Sequence, residues 1–138
     1  MTQDRTPEPL FQNIDCLQIP VPDLEAGLAF YRDRLGHELI WRTPTAAGLR
    51  MREGDAEIVI QTERPSLEAN VRVDSADDAA RRIVDAGGSI AVPPFDIQIG
   101  RCVVANDPFG NRLVLLDMSK GRLVTDSEGN VQGNEPHP

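Results

Sequence analysis

The feature that most constrains this chain is that it carries out one sequence plan twice. Ile14 to Val21 reads as a strand, and Asp23 then offers a side-chain oxygen to start a helix. Leu24, Leu28, Tyr31 and Leu35 fall on one face of that helix, and Gly36 supplies a left-handed stop. Three short strands follow, around Glu38–Thr43, Leu49–Arg52 and Glu57–Gln61, with Thr43–Gly48 and Glu53–Asp55 as the breaks between them. From Leu67 the order starts again. Leu67–Val73 is a strand, Asp74 or Ser75 caps a helix with Ala76, Ala79, Ala80, Ile83 and Val84 on its apolar face, and Gly87-Gly88 ends it. Strands near Ser89–Val92, Arg101–Ala105 and Arg112–Asp117 complete the copy. Asp23 to Gly36 and Asp74 to Gly87 are each 13 residues apart. Two βαβββ modules, at 12–64 and 67–118, are therefore expected in one domain spanning 12–118, an α+β fold. Their strands form a curved mixed sheet around a cavity, with the helices outside.

The second copy closes on the most ordered-looking turn of the chain. In Asn106-Asp107-Pro108-Phe109-Gly110-Asn111, Pro108 suits the second position of a type I turn, Asp107 accepts from the turn backbone, and Gly110 takes a positive φ. Apolar runs of strand length flank it, so the unit reads as a β-hairpin with a covered face. Outside the modules, 1–11 reads as a polar arm. The segment 119–138 reads as a tail in which Leu123, Val124 and Val131 pack back as a final hairpin or clasp. Its acidic residues lack the spacing of an EF-hand loop.

Composition narrows the function classes. A net charge of −8 on 138 residues argues against nucleic acid as partner. No apolar run approaches the roughly 20 residues of a membrane span, and no signal-peptide pattern opens the chain. Two cysteines, Cys16 and Cys102, suit a reducing cytoplasm. The partners expected are a small molecule and a second copy of the chain, since a half-open sheet leaves edges and cavity walls to cover. There is no glycine-rich phosphate loop and no nucleophile elbow.

The stretch from Asp23 to Gly36 (DLEAGLAFYRDRLG), together with NDPFGNRLVLLD, resembles the two signatures of the vicinal-oxygen-chelate superfamily, which groups glyoxalase I, bleomycin-resistance proteins and extradiol dioxygenases. The resemblance implies a sheet cavity between paired modules and, in metal-dependent members, four ligands from the first and last strands of each module. Those positions map here to Cys16, Val59, Glu68 and Val114. Valine has no donor atom, so at most two ligands remain where a catalytic site needs about three. His37 and His137 are the only histidines, too few for a site of two histidines and a carboxylate.

The expectation is therefore a binding protein that holds a small organic molecule without a metal or other cofactor. Whether it is an enzyme stays open, and the valines lean against it. The alternative is a divalent-metal-dependent lyase, isomerase or dioxygenase of the same superfamily. A structural protein with a dead cavity is the third reading. Strand alternation turns Cys16 and Gln18, then Glu57, Val59 and Gln61, toward the cavity. Cys16 reads as a small buried hydrophobe rather than a nucleophile. Trp41 reads either as core or as a flat surface for a ligand ring. Glu68 reads as a solvated strand end or a cavity group. Arg101 reads either as a bidentate holder of a carboxylate or as a partner for a surface acid. Cys16, Gln18, Trp41, Val59, Gln61, Glu68, Arg101 and Val114 are the candidate ligand-binding residues.

Overall fold

A computed structural model describes residues 7–137. Six residues of the expected N-terminal arm, 1–6, lie outside the described residues, as does 138. The order is β1 (Asn13–Pro20), α1 (Leu24–Leu28), β2 (Leu39–Arg42), β3 (Ala46–Arg50), β4 (Glu57–Gln61), β5 (Glu68–Arg72), α2 (Ala76–Asp85), β6 (Ser89–Ile97), β7 (Gly100–Asn106), β8 (Arg112–Leu116), β9 (Arg122–Thr125) and β10 (Val131–Glu135). Eight strands make one mixed sheet in the order β2-β3-β4-β1-β5-β8-β7-β6. The two modules meet where β1 and β5 pair antiparallel, and within each the first strand pairs parallel with the last. This is an α+β fold in which a curved, unclosed mixed sheet carries its helices on one side.

The repeat extends to single hydrogen bonds. Val21 N donates to Gln61 O at 2.9 Å, and Val73 N donates to Leu116 O at 2.9 Å, at matching places in the two modules. Each helix covers its own half of the sheet. Leu24 and Leu28 pack on Ala47, Leu49, Ile58 and Ile60, whereas Ala76 and Ala79 pack on Val73, Val103 and Leu115. A third apolar group, Cys102, Val104, Val114 and Leu116, lies on the opposite face of the sheet. That opposite face is the cavity.

Both helices start as the sequence indicates. Asp23 accepts from Ala26 N at 2.8 Å, and Ser75 accepts from Asp78 N at 3.2 Å. The first helix departs after Leu28, where Ala29–Arg34 continues as a π-helix. The wider turn breaks the 3.6-residue period, so Leu35, expected on the apolar face, is 53% exposed. Asp117 ties the second module together. Its carboxylate accepts from Ala76 N at 2.8 Å, Arg101 N at 2.9 Å, Ser119 N at 3.1 Å and Ser119 Oγ at 2.7 Å.

Two strands differ from the sequence expectation. Ala46–Gly48, read as part of a break, belongs to β3, and β6 runs on through Pro93 and Pro94 to Ile97. Proline is tolerated there because β6 is an edge strand. The tail forms the β9–β10 hairpin, whose Asp126-to-Asn130 turn reuses the design of Asp107 to Asn111. In each, one carboxylate oxygen accepts backbone N–H groups two and four residues on, at 2.8 and 2.9 Å, and the other accepts from the asparagine side chain.

Candidate functional site

The concave face encloses a cavity of about 710 Å³, the size of a pocket for a drug-sized molecule. Strand register explains its lining. Trp41, Gly48, Val59, Gln18 and Glu68 form one continuous cross-strand row from β2 to β5. The adjacent row runs Glu57, Cys16, Asn70, Val114, Val104, Val92 from β4 to β6. Six of the eight candidate residues, Cys16, Gln18, Trp41, Val59, Glu68 and Val114, are thereby brought to the cavity wall.

Trp41 is held flat by two features. Gly48 stands opposite it, and a Cβ at Gly48 would overlap the indole nitrogen. The indole Nε1 then donates to Glu57 Oε1 at 2.8 Å. Burial pushes the Glu57 carboxyl above its ordinary pKa, the Trp41 hydrogen bond offsets part of that, and the charge of Asp15 adds to it. Cys16 is also buried, and its thiol is pushed up to about 12 by burial first and then by Asp15. It stays protonated at neutral pH and is a poor nucleophile.

Arg101 and Gln61 are not part of the lining. On β7, Cys102 and Val104 face the cavity, so alternation turns Arg101 with Val103 toward α2. There its guanidinium bonds Asp96 at 3.1 Å and Asp77 and Pro94 O at 3.3 and 3.2 Å. Gln61 has the expected parity but is 2% exposed and folds into the following turn, accepting from Glu63 N and Arg64 N at 2.8 Å.

Several cavity groups escaped the sequence reading. Asn70 and Arg72 share a strand face with Glu68, an i, i+2 signal that was available. Asp15 was not, because a bulge between Ile14 and Cys16 breaks the alternation and lets Asp15 reach the cavity beside Cys16. Arg72 pairs with Asp15 at 2.7 Å, and Arg64 lies 3.8 Å from Glu68 and bonds Gln18. The tail hairpin adds Leu123 and Val131 to the mouth, held by Arg42 N donating to Gly129 O at 2.7 Å.

The four positions that the resemblance maps to metal ligands do not make a donor set. Val59 and Val114 have none, Cys16 is a buried thiol, and Glu68 faces Arg64. Among the described residues no three His, Cys, Asp or Glu side chains are grouped where they could hold an ion. No helix among them is long and apolar enough to cross a membrane.

A family model described as the Glyoxalase/Bleomycin resistance protein/Dioxygenase superfamily matches residues 13–115. No curated protein matches the chain. Methylmalonyl-CoA epimerase from Mycobacterium tuberculosis superposes with a TM-score of 0.67 at 20% identity, covering 78% of this chain and 89% of that one. An NAD-dependent benzaldehyde dehydrogenase structure from Legionella pneumophila gives 0.62 at 23% identity, with 75% and 97% covered. Homoprotocatechuate 2,3-dioxygenase from Brevibacterium fuscum gives 0.57 at 20% identity, with 81% of this chain matching 38% of that longer one. At these identities the likeness is one of fold.

Proposed function

Because the chain belongs to the Glyoxalase/Bleomycin resistance protein/Dioxygenase superfamily, we propose that it binds a small organic molecule in the sheet cavity and does so without a metal. The observation that carries the reading is the pair Val59 and Val114. They sit at matching places in the two modules, on the cavity wall, and neither offers a ligating atom. Losing two anionic ligands from a four-ligand site removes most of the attraction for a divalent cation and leaves its coordination to water. What supports binding is a drug-sized cavity with a mainly apolar wall, a flat indole and a few polar groups.

The test is to equilibrate the protein with zinc, nickel, manganese or ferrous iron, desalt it, and measure bound metal. Substoichiometric metal and a thermal melt unmoved by chelator are the expected results. Stoichiometric metal that is lost in Glu68→Ala would overturn the reading and favour a metal-dependent lyase, isomerase or dioxygenase. The proposal includes a homodimer, since β6 is an edge strand and the other edge, β2, is met by the tail only at Arg42. A monomeric mass by light scattering at micromolar concentration would remove that part.

A further inference from the structure

We infer that the ligand presents a neutral hydroxyl group to the buried polar corner formed by Asn70 and Arg72, with its apolar body along β7 and β8. The inference rests on the cavity being a binding site, as proposed above, and adds the chemistry of what enters it.

Two polar atoms carry it. Asn70 is 6% exposed, lines the cavity, and its Oδ1 has no hydrogen-bond partner among the described residues. Arg72 Nε, two residues along the same strand face, is also buried without a partner, although the far end of that guanidinium holds Asp15. A buried acceptor and a buried donor left without partners are costly, and a partner from the ligand recovers that cost. A hydroxyl is the smallest group that serves both, donating to Asn70 and accepting from Arg72. An ammonium has no acceptor for Arg72. An ether has no donor for Asn70.

The surrounding charge points the same way. Cys16 lies between Asn70 and Glu57 in the row, and Asp15 is its chain neighbour. Among the groups lining this corner two acids, Asp15 and Glu57, stand against one guanidinium, Arg72, while Arg50 across from Glu57 is exposed and paired with Glu38, so the corner disfavours an anionic head. Arg112 also lines the cavity and has no carboxylate partner among the described residues, but it is exposed at the strand end, where attraction for an anion is screened. Beyond Asn70 the row turns apolar, with Val114, Val104 and Val92. A molecule with a hydroxyl at one end and hydrocarbon at the other matches that gradient.

Four probes of one shape test this by calorimetry on the full chain: naphthalenemethanol, its methyl ether, naphthylmethylamine and naphthoate. The alcohol should bind at least about tenfold tighter than the ether and the naphthoate, the effect of a polar site whose partner is missing. Asn70→Leu should bring the alcohol down to the ether's affinity and leave the ether unchanged, and Arg72→Lys, which keeps the charge for Asp15 but removes Nε, should weaken the alcohol and the ether alike. An ether or naphthoate binding as well as the alcohol overturns the inference while leaving the cavity a binding site. The amine binding tightest overturns it in favour of a cation. Binding of none of the four overturns the proposed function itself. If either variant fails to melt cooperatively, the ranking on the unmodified protein decides.

Discussion

The two modules use one backbone plan for two different walls. In module one the row Trp41, Gly48, Val59 puts a glycine between an aromatic ring and a valine, and the ring lies flat over it. In module two the matching row is Val92, Val104, Val114. Two residues earlier on the last strand of each, module one has Glu57 where module two has Arg112, a half-buried acid against an exposed base. A repeated backbone thus supplies symmetry of register, while side chains make one half hydrogen-bonding and the other greasy. The difference lets the cavity orient an asymmetric molecule, which two equal halves would not do.

The modules also differ in how the last strand is fastened, and the largest predicted effect lies there. Module two depends on Asp117, whereas at the close of module one the Gln61 side chain bonds only its own turn. Asp117→Ala leaves the N–H groups of Ala76, Arg101 and Ser119 without their acceptor and is expected to cost about 3 kcal/mol in urea unfolding. Burial pushes this carboxyl up, but hydrogen bonds from Ala76, Ser119 and Arg101 outweigh it and hold the pKa below the ordinary value. Its contribution is therefore present above the usual carboxylate range, and is lost as pH falls through the folded value. Gln61→Ala should cost less. Equal losses would show that the two modules are fastened alike.

Gly48→Val gives row one the middle valine that row two has at Val104. The added side chain occupies the place of the indole, so Trp41 must leave Glu57. Overpacking of this kind is expected to cost about 2 kcal/mol and to shift the emission of the lone tryptophan to the red. An unchanged spectrum would mean that the glycine is not what holds the ring.

The module plan was legible because helix caps, glycine stops and apolar runs recur at matched intervals, and local signals of that kind survive into the fold. Gly48 shows where local reading fails. A glycine after two alanines reads as a break, yet here it serves a residue seven positions earlier, a relation created only by strand pairing. Arg101 failed for a different reason. Its parity with Val103 was in the sequence, and alternation alone assigns it to the helix face. Asp15 needed the bulge, which no composition rule marks. Register within the cavity was therefore readable wherever strands were regular, and unreadable where one residue was added.

Glu57 offers a smaller, pH-dependent test of the contrast between halves. Because its folded pKa is raised by burial, its charge opposes folding above the ordinary glutamate range, and that penalty is relieved as pH falls through the folded value. Glu57→Gln should gain on the parent protein at pH 7, or lose least, and the advantage should shrink toward pH 5. The sign is opposite to that of Asp117. A Glu57→Gln difference that grows as pH falls would mean that the Trp41 hydrogen bond, not burial, dominates this side chain.

The smallest effect uses the two cysteines as probes of local potential, one in each module. Cys16 is pushed up to about 12 by burial and then by Asp15, with Glu57 adding to it. Cys102 is pushed up to about 11 by burial, and there the charge of Glu68 is opposed by Arg64. If module one's corner is the more negative, neutralising Glu57 should ease thiolate formation at Cys16 and leave Cys102 nearly unchanged. In Glu57→Gln, alkylation at pH 9 followed by peptide mass spectrometry should show Cys16 faster by about two- to threefold relative to Cys102. Comparing the two thiols within one molecule cancels changes in global stability, since global opening would expose both. Equal acceleration would therefore report loosening of the whole sheet rather than a change of potential, and would remove the claim that the charge difference between the halves is felt inside the cavity.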